Sequence, residues 1–169
     1  MYVILTKRAV ISINLEEERA AIMAGECVIS RTRIMVANQD AEFALKLADS
    51  LAADGYEVAI VQEAGEILDL LRNMEPDGIL LDLHLSVPDS MKLLQNIRAV
   101  HPHVPVITMA DPALHDVAAR SVKAGARTFL LKPFDFQHVR DLLGAELRVS
   151  DTKRTQRGAA GEANACPES

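Results

Sequence analysis

The central part of the chain alternates short apolar runs with longer stretches in which apolar residues recur every three or four positions. Most of the short runs are continuously apolar, which is typical of parallel strands covered by helices on both faces. Strands that alternate with helices imply right-handed crossovers and a doubly wound α/β sheet. We predict strands at 33–37, 56–61, 78–82, 104–109 and 128–131, and helices at 41–53, 64–74, 90–100, 112–124 and 136–147.

Residues that start and stop helices support these limits. Asp111 followed by Pro112 is typical of a helix start, with an N-cap and a proline at the first helical position. Gly55 and Gly125 follow predicted helices, at positions where a helix end favours a positive φ. Together these patterns place one α/β domain at 31–147.

Two shorter segments flank this domain. The amino-terminal extension, 1–30, begins with an apolar run at 2–13 and continues with Asn14 and, three residues on, Glu17, a pair typical of a helix start. Two interpretations of it stay open: an appended strand and helix, or a segment without a folded role. The tail, 148–169, is polar and lacks periodicity, so we predict disorder there.

Composition narrows the class of protein. The 169 residues are 49% hydrophobic and 25% charged, which fits one globular domain with short ends. The net charge of -6 disfavours nucleic acid as the main partner and favours proteins or cations. Cys27 and Cys166 are too few and too far apart for a disulfide framework or a zinc cluster. The apolar start is broken by Lys7 and Arg8 and is too short to span a bilayer, so we expect a cytoplasmic protein without a signal peptide.

Asp82 and Lys132 each end a predicted strand at the carboxyl edge of the sheet. Taken alone, Asp82 is also explained as a cap or ion-pair residue, and Lys132 as part of a solvated turn before Pro133. Taken together, the two side chains should meet over the crevice where doubly wound sheets bind their ligands. An acid beside a lysine at this edge is therefore the candidate functional site.

Five segments carry a wider pattern. They are Ile-Leu-Leu-Asp-Leu-His-Leu at 79–85, Asp89 with Leu93 and Leu94, Pro-Val-Ile at 105–107, Ala-Gly-Ala at 124–126, and Phe-Leu-Leu-Lys-Pro-Phe at 129–134. In this order and spacing, residues 32–147 resemble the receiver domains of two-component response regulators. The resemblance implies a flavodoxin-like fold of five strand–helix units around a five-stranded parallel sheet, and a role in signalling rather than catalysis.

The resemblance also implies roles for the two strand-end residues. Asp82 is the implied phosphoacceptor, which takes a phosphoryl group from a histidine kinase, and Lys132 is the implied phosphoryl-contacting lysine. Mg²⁺ is the implied cofactor, because phosphoryl transfer needs cations that offset the charge of the moving group. The face made by the fourth helix, fifth strand and fifth helix is the implied surface for a partner or a homodimer.

The chain departs from the family at the magnesium ligands. Two acids usually follow the first strand of a receiver, and their positions here hold Asn38 and Gln39. Neutral amides compete poorly for Mg²⁺, so with Asp82 and the main-chain carbonyl of His84 as remaining ligands we expect weak or no metal binding. Asp40 either reaches into the site or caps the following helix, and we favour the cap.

A second departure concerns the switch positions. Ala110 stands where receivers place a Ser or Thr hydroxyl, and Asp111 puts an anion close to where a phosphoryl group would lie. Phe129 occupies the switch-aromatic position, but without a hydroxyl at Ala110 we favour a core aromatic. With no metal to balance its charge, we predict that Asp82 forms a direct ion pair with Lys132, shared with Asp111.

The remaining histidines predict no separate site. His101 and His103 lie in a turn without a carboxylate or cysteine partner, and His115 and His138 lie on predicted helices without a neighbouring nucleophile. The sequence also contains no Gly-rich phosphate loop, nucleophile elbow or zinc signature. We therefore expect no enzymatic activity.

Two functions follow from these patterns. The favoured one is a single-domain receiver protein that docks onto a histidine kinase or another signalling protein, with impaired Mg²⁺-dependent phosphorylation, since 148–169 is too short for an output domain. The alternative is a working phosphoacceptor that takes a phosphoryl group on Asp82. Neither function calls for nucleic acid or a membrane.

Overall fold

The computed structural model describes residues 3–6, 9–11, 32–86 and 89–161. Its strands are β1 (Val3–Thr6), β2 (Ala9–Ile11), β3 (Arg33–Ala37), β4 (Glu57–Val61), β5 (Gly78–Asp82), β6 (Val106–Ala110) and β7 (Thr128–Leu131). Its α-helices are α1 (Ala41–Ala53), α2 (Ala64–Asn73), α3 (Ser90–Val100), α4 (His115–Lys123) and α5 (Phe136–Gly161), with 3₁₀ turns at Leu83–Ser86 and Pro112–Leu114.

One sheet contains all of these strands, in the order β2-β1-β4-β3-β5-β6-β7. From β4 to β7 the neighbouring strands are parallel, which confirms the predicted five-stranded doubly wound sheet. Their order is that of the flavodoxin-like fold. The chain adds β4 on one side of β3 and then adds β5, β6 and β7 on the other side, so the strand order reverses between β3 and β5. The ligand crevice of such a sheet lies at the carboxyl ends of those two strands.

The amino-terminal extension adds a hairpin to this sheet. β1 pairs antiparallel with β2 on one side and with β4 on the other, so the apolar run at 2–13 contains two short strands instead of one. In the sequence, Lys7 and Arg8 divide the apolar run into two short segments, which is the pattern of two strands joined by a two-residue connection. The helix start expected at Asn14 and both cysteines lie outside the described residues.

Helices bury both faces of the sheet, as the continuously apolar strands require. Alternate residues of one strand serve the two faces: Val106 packs with α2 and α3, whereas Ile107 packs with α1 and α5. α4 lies on the α3 side, where Ala118 packs against Ala110 and Leu83. The apolar packing on both faces therefore fixes the strands in place, and the polar groups of the site come from the residues at the carboxyl ends of the strands.

Two helices differ from the prediction by more than one residue. The helix expected at 112–124 is divided into the 3₁₀ turn Pro112–Leu114 and α4. α5 continues to Gly161, so the helix extends past its predicted end at 147 and includes 148–161 of the tail. These residues include Arg, Lys, Gln and Ala, which favour helices, and no proline. The apolar periodicity of the sequence stops near Leu147, and that is why the pattern alone ended the element too early.

Gly125 ends α4 with a φ of 116°, as the sequence predicted, and Gly55 follows α1 with a φ of 95°. A Cβ at Gly125 would also lie 3.1 Å from Cγ of Arg98. We expect Gly125→Ala to lower the free energy of unfolding by about 1–3 kcal/mol, since alanine is strained at this φ. Urea unfolding measures this change in the free energy of unfolding. Gly65→Ala, in α2 with open space around the new Cβ, should instead be neutral or stabilise by up to about 1 kcal/mol, and an equal loss in both variants would contradict this account.

Candidate functional site

The parallel register brings the predicted site residues to one edge of the sheet. Ala37 of β3 pairs with Leu81 of β5, so the next residues along each strand, Asn38 and Asp82, lie side by side. Ala110 of β6 pairs with Leu131 of β7, which places Lys132 one residue beyond. The site therefore lies at the switch point of the sheet, where doubly wound folds bind ligands.

Asp82 is buried and both of its carboxylate oxygens are engaged. Its side chain is 1% exposed, and its Oδ1 accepts a hydrogen bond of 2.9 Å from the main-chain amide of His84. Its Oδ2 accepts a hydrogen bond from the ammonium group of Lys132. The predicted ion pair is thus confirmed, and it satisfies a buried charge that would otherwise be costly.

An aromatic wall shields the ion pair on one side. Nζ of Lys132 lies 5.2 Å from the ring centroid of Phe43 in α1, within the range of a cation–π contact. Phe43 in turn meets Phe134 and Phe136 edge to face, with ring centroids 5.8 and 5.7 Å apart. The Lys132 side chain is 22% exposed, so its ammonium group is partly shielded from water where it meets the carboxylate.

His84 and Asp111 form a second pair of groups beside Asp82. Nδ1 of His84 lies 3.2 Å from Oδ2 of Asp111 and 3.6 Å from Oδ1 of Asp82. These are ion-pair distances without hydrogen-bond geometry, since the buried Nδ1 makes no hydrogen bond to the described residues. Asp111 was expected to share the charge of Lys132 and to cap the next helix. The structure places it beside the imidazole instead, and its side chain makes no capping bond.

The positions of the missing acids are occupied very differently. Asn38 is fully buried, its Oδ1 accepts a hydrogen bond of 2.8 Å from the amide of Asp40, and its Nδ2 has no partner among the described residues. Gln39 is exposed. Asp40 caps α1, since its Oδ1 accepts a hydrogen bond of 3.1 Å from the amide of Phe43, as the sequence favoured.

The switch positions lie on the α4 side of the sheet. Ala110 is fully buried and offers no hydroxyl. Phe129 is half-buried, and its ring meets the ring of His115 edge to face, with centroids 5.8 Å apart and an angle of 86°. Phe129 packs against the small cluster that contains Ala110, and its role as core aromatic or switch stays a prediction. The contact with His115, which was expected to be a simple surface residue, was not predicted.

Sequence reasoning also missed the side chain of His84. Only its main-chain carbonyl was considered, as an implied metal ligand, and that role stays a prediction. The signal was its position two residues after a strand-end acid, where the turn Leu83–Ser86 folds the chain back over the carboxylate. His101, by contrast, has a structural role, because its Nε2 lies 2.8 Å from the carbonyl oxygen of Leu71 and links α3 to α2. His138 is exposed, as expected.

Comparison with known families decides what this arrangement belongs to. A family model described as "Response regulator receiver domain" matches residues 34–144, which run from β3 into α5. The chain belongs to this family. The receiver domain accounts for every parallel strand of the sheet and for the site at its carboxyl edge.

Individual relatives agree with the family match. Regulatory protein LuxO of Vibrio vulnificus (strain YJ016) is 31% identical over 110 residues, which are 65% of this chain and 24% of that protein. Transcriptional regulatory protein ZraR of Klebsiella oxytoca is 30% identical over 141 residues, which are 82% of this chain and 31% of that protein. The chain thus spans about a quarter to a third of these relatives.

Solved structures show the same receiver fold. The crystal structure of a CheY-like response regulator receiver domain protein from Methanospirillum hungatei JF-1 matches with a TM-score of 0.69 at 24% identity, covering 73% of this chain and 99% of that chain. At this identity the likeness concerns the fold alone. Within the described parts of the chain, no helix has the length and apolar character that a membrane crossing requires.

The donor set of this receiver domain does not fit Mg²⁺. Magnesium takes hard oxygen ligands in near-octahedral geometry and favours carboxylates. Here Oδ1 of Asn38 already accepts an amide hydrogen bond, Asp40 caps α1, and the oxygens of Asp82 are engaged by Lys132 and by His84. The described residues also contain no cluster of three or more His, Cys, Asp or Glu side chains suited to a metal ion.

Proposed function

We propose that this receiver domain signals by docking onto a protein partner, without Mg²⁺-dependent phosphorylation of Asp82. One observation carries the proposal. Asp82 is buried and held by Lys132, while Asn38 occupies the neighbouring strand end where receivers usually hold an acid. The charge of the carboxylate is therefore balanced within the protein, and the site has no need of a cation to be stable.

The chemistry of phosphoryl transfer supports this proposal. An acceptor carboxylate needs an oxygen free to attack and positive charge around the moving group. In this site the oxygen nearest Lys132 is engaged in the ion pair, and Asp111 adds a negative side chain that is 45% exposed. An incoming phosphoryl group would meet the repulsion of Asp111 and would have to displace the ion pair.

The partner we propose is a histidine kinase or another signalling protein, in the cytoplasm. The face formed by α4, β7 and α5 is the docking surface that the family resemblance favours, either for such a partner or for a second copy of the chain. The negative net charge argues against nucleic acid. The domain would act through binding and would catalyse no reaction of its own.

A working phosphoacceptor is the second candidate function. It is favoured by the presence of Asp82 and Lys132 together at the switch point, since these are the acceptor and the cation that the family chemistry uses. If this function is correct, the ion pair opens when a donor binds, and the missing acids affect only the rate.

Intact-mass spectrometry distinguishes the two functions. We expect no phosphoryl adduct when the full chain is incubated with a small acyl phosphate and millimolar Mg²⁺, because both oxygens of Asp82 are engaged and neutral amides replace the usual magnesium ligands. Asp82→Ala serves as the matched control for adducts elsewhere, and a receiver with a complete acid pair shows that the donor is active. An adduct on the wild-type chain that Asp82→Ala loses would establish the phosphoacceptor and overturn the docking-only proposal.

A further inference from the structure

Two buried hydroxyl groups join β6 to α4. Thr108 lies in the middle of β6 and Ser121 in the last turn of α4, and both residues are 0% exposed. Their side-chain oxygens are 2.8 Å apart. A buried hydroxyl is costly unless it is paired, so this bond satisfies two polar groups in an otherwise apolar interface between strand and helix.

The protons of the two hydroxyls fix the direction of the bond. Oγ of Ser121 lies 2.6 Å from the carbonyl oxygen of Ala118 and donates its single proton there. Thr108 then donates to Oγ of Ser121, because its other acceptor, the carbonyl oxygen of Thr128, is 3.4 Å away. Thr108 of the strand thus donates to Ser121 of the helix, and Ser121 donates to the backbone carbonyl of Ala118 in the same helix.

A second contact holds the amino-terminal end of the same helix. Phe129 of β7 is paired in register with Thr108, so the two side chains lie on the same face of the sheet, toward α4. The Phe129 ring meets His115 at the first residue of α4. His115 and Ser121 are separated by roughly 9 Å along a helix. Contacts at both places define the position of α4 on the sheet.

Ala110 removes the hydroxyl through which the carboxyl edge would act on this helix. The polar link that remains lies two residues earlier, at Thr108, and connects α4 to the sheet instead of to Asp82. We propose that the Thr108–Ser121 hydrogen bond fixes α4 on β6 and holds the face formed by α4 and β7 in one conformation, whatever the state of Asp82. This inference rests on the proposed function, for which it supplies the structural basis.

Amide hydrogen exchange of the full chain, followed residue by residue, tests the inference. In Thr108→Val we expect exchange in α4 to become about 3- to 10-fold faster, the range that corresponds to one lost hydrogen bond, while exchange in α2 stays unchanged. Ser121→Ala should have a similar effect in the wild-type background and little further effect in Thr108→Val, because the same bond is already lost. Thr108→Ser keeps the hydroxyl and should retain slow exchange.

Thr128→Val is the matched control. It makes the same chemical change on the neighbouring strand, and its side chain lies on the opposite face, since Thr128 is paired with Ile107. Equal exchange of α4 in Thr108→Val and Thr128→Val would overturn the inference, and so would additive effects of Thr108→Val and Ser121→Ala.

The phosphorylation assay separates this inference from the proposed function. An adduct on Asp82 that leaves exchange in α4 unchanged would contradict the proposed function, but it would support the inference that the Thr108–Ser121 bond fixes α4. An adduct that accelerates exchange in α4 would overturn both. If no adduct forms and exchange in α4 is unchanged in Thr108→Val, the inference about the Thr108–Ser121 bond is overturned and the proposed function is not.

Discussion

Lys132→Ala should lower the free energy of unfolding by about 2–4 kcal/mol, because it leaves the buried carboxylate of Asp82 without its cation. The Asp82 side chain is 1% exposed, so water cannot replace the lost partner without opening the site. We expect the lower part of the range usual for broken buried pairs, since Lys132 itself is 22% exposed. In thermal unfolding this corresponds to a midpoint about 6–12 °C lower for a domain of this size.

Lys46→Ala is the matched control for Lys132→Ala. Lys46 pairs with Glu42 on the surface of α1, and its side chain is 64% exposed, so the same substitution there should cost less than about 0.5 kcal/mol. Adding Asp82→Asn to Lys132→Ala should recover part of the loss, because it removes the uncompensated charge. Wild-type unfolding midpoints in Lys132→Ala would show that the pair contributes nothing to the fold.

The parallel fold could be predicted because the same signal appears at several levels of the sequence. Continuously apolar strands indicated burial on both faces, and the start of α1 after Asp40 and the end of α4 at Gly125 agreed with that placement. The ion pair could also be predicted, since parallel register brings strand ends together once the strand order is known. These features depend on backbone periodicity and on charge balance, which a single sequence displays.

The contacts that were not predicted depend on how side chains point across elements. The register of β6 with β7 and the position of α4 place Thr108 against Ser121 and Phe129 against His115, and no spacing in the sequence encodes either pair. The imidazole of His84 faces Asp111 only because the 3₁₀ turn after β5 folds it back. The helical continuation of α5 was missed for a different reason, because it has no apolar stripe.

The double variant Asn38→Asp, Gln39→Asp should bind Mg²⁺, which we expect the wild-type chain to bind weakly or not at all. It would place one carboxylate beside Asp82, at position 38, and a second at the next position along the chain, which restores the two acids that receivers usually have there and the hard, anionic oxygens that Mg²⁺ favours. Without metal the variant should be less stable than wild type by about 1–3 kcal/mol, because Asn38 is 0% exposed and a carboxylate there lies beside that of Asp82.

Magnesium should then restore part of this stability. With a dissociation constant of about 1 mM, roughly 10 mM Mg²⁺ stabilises the folded state by about 1.4 kcal/mol, a rise of about 3–6 °C in the unfolding midpoint. NaCl at equal ionic strength controls for screening of the paired carboxylates. Introducing Asp82→Asn into the double variant should reduce the rise, because it removes one ligand. An equal rise of the wild-type midpoint would show that Asn38 and Gln39 do not prevent Mg²⁺ binding. The buried ion pair of Asp82 and Lys132 would then have to open far more easily than its burial indicates.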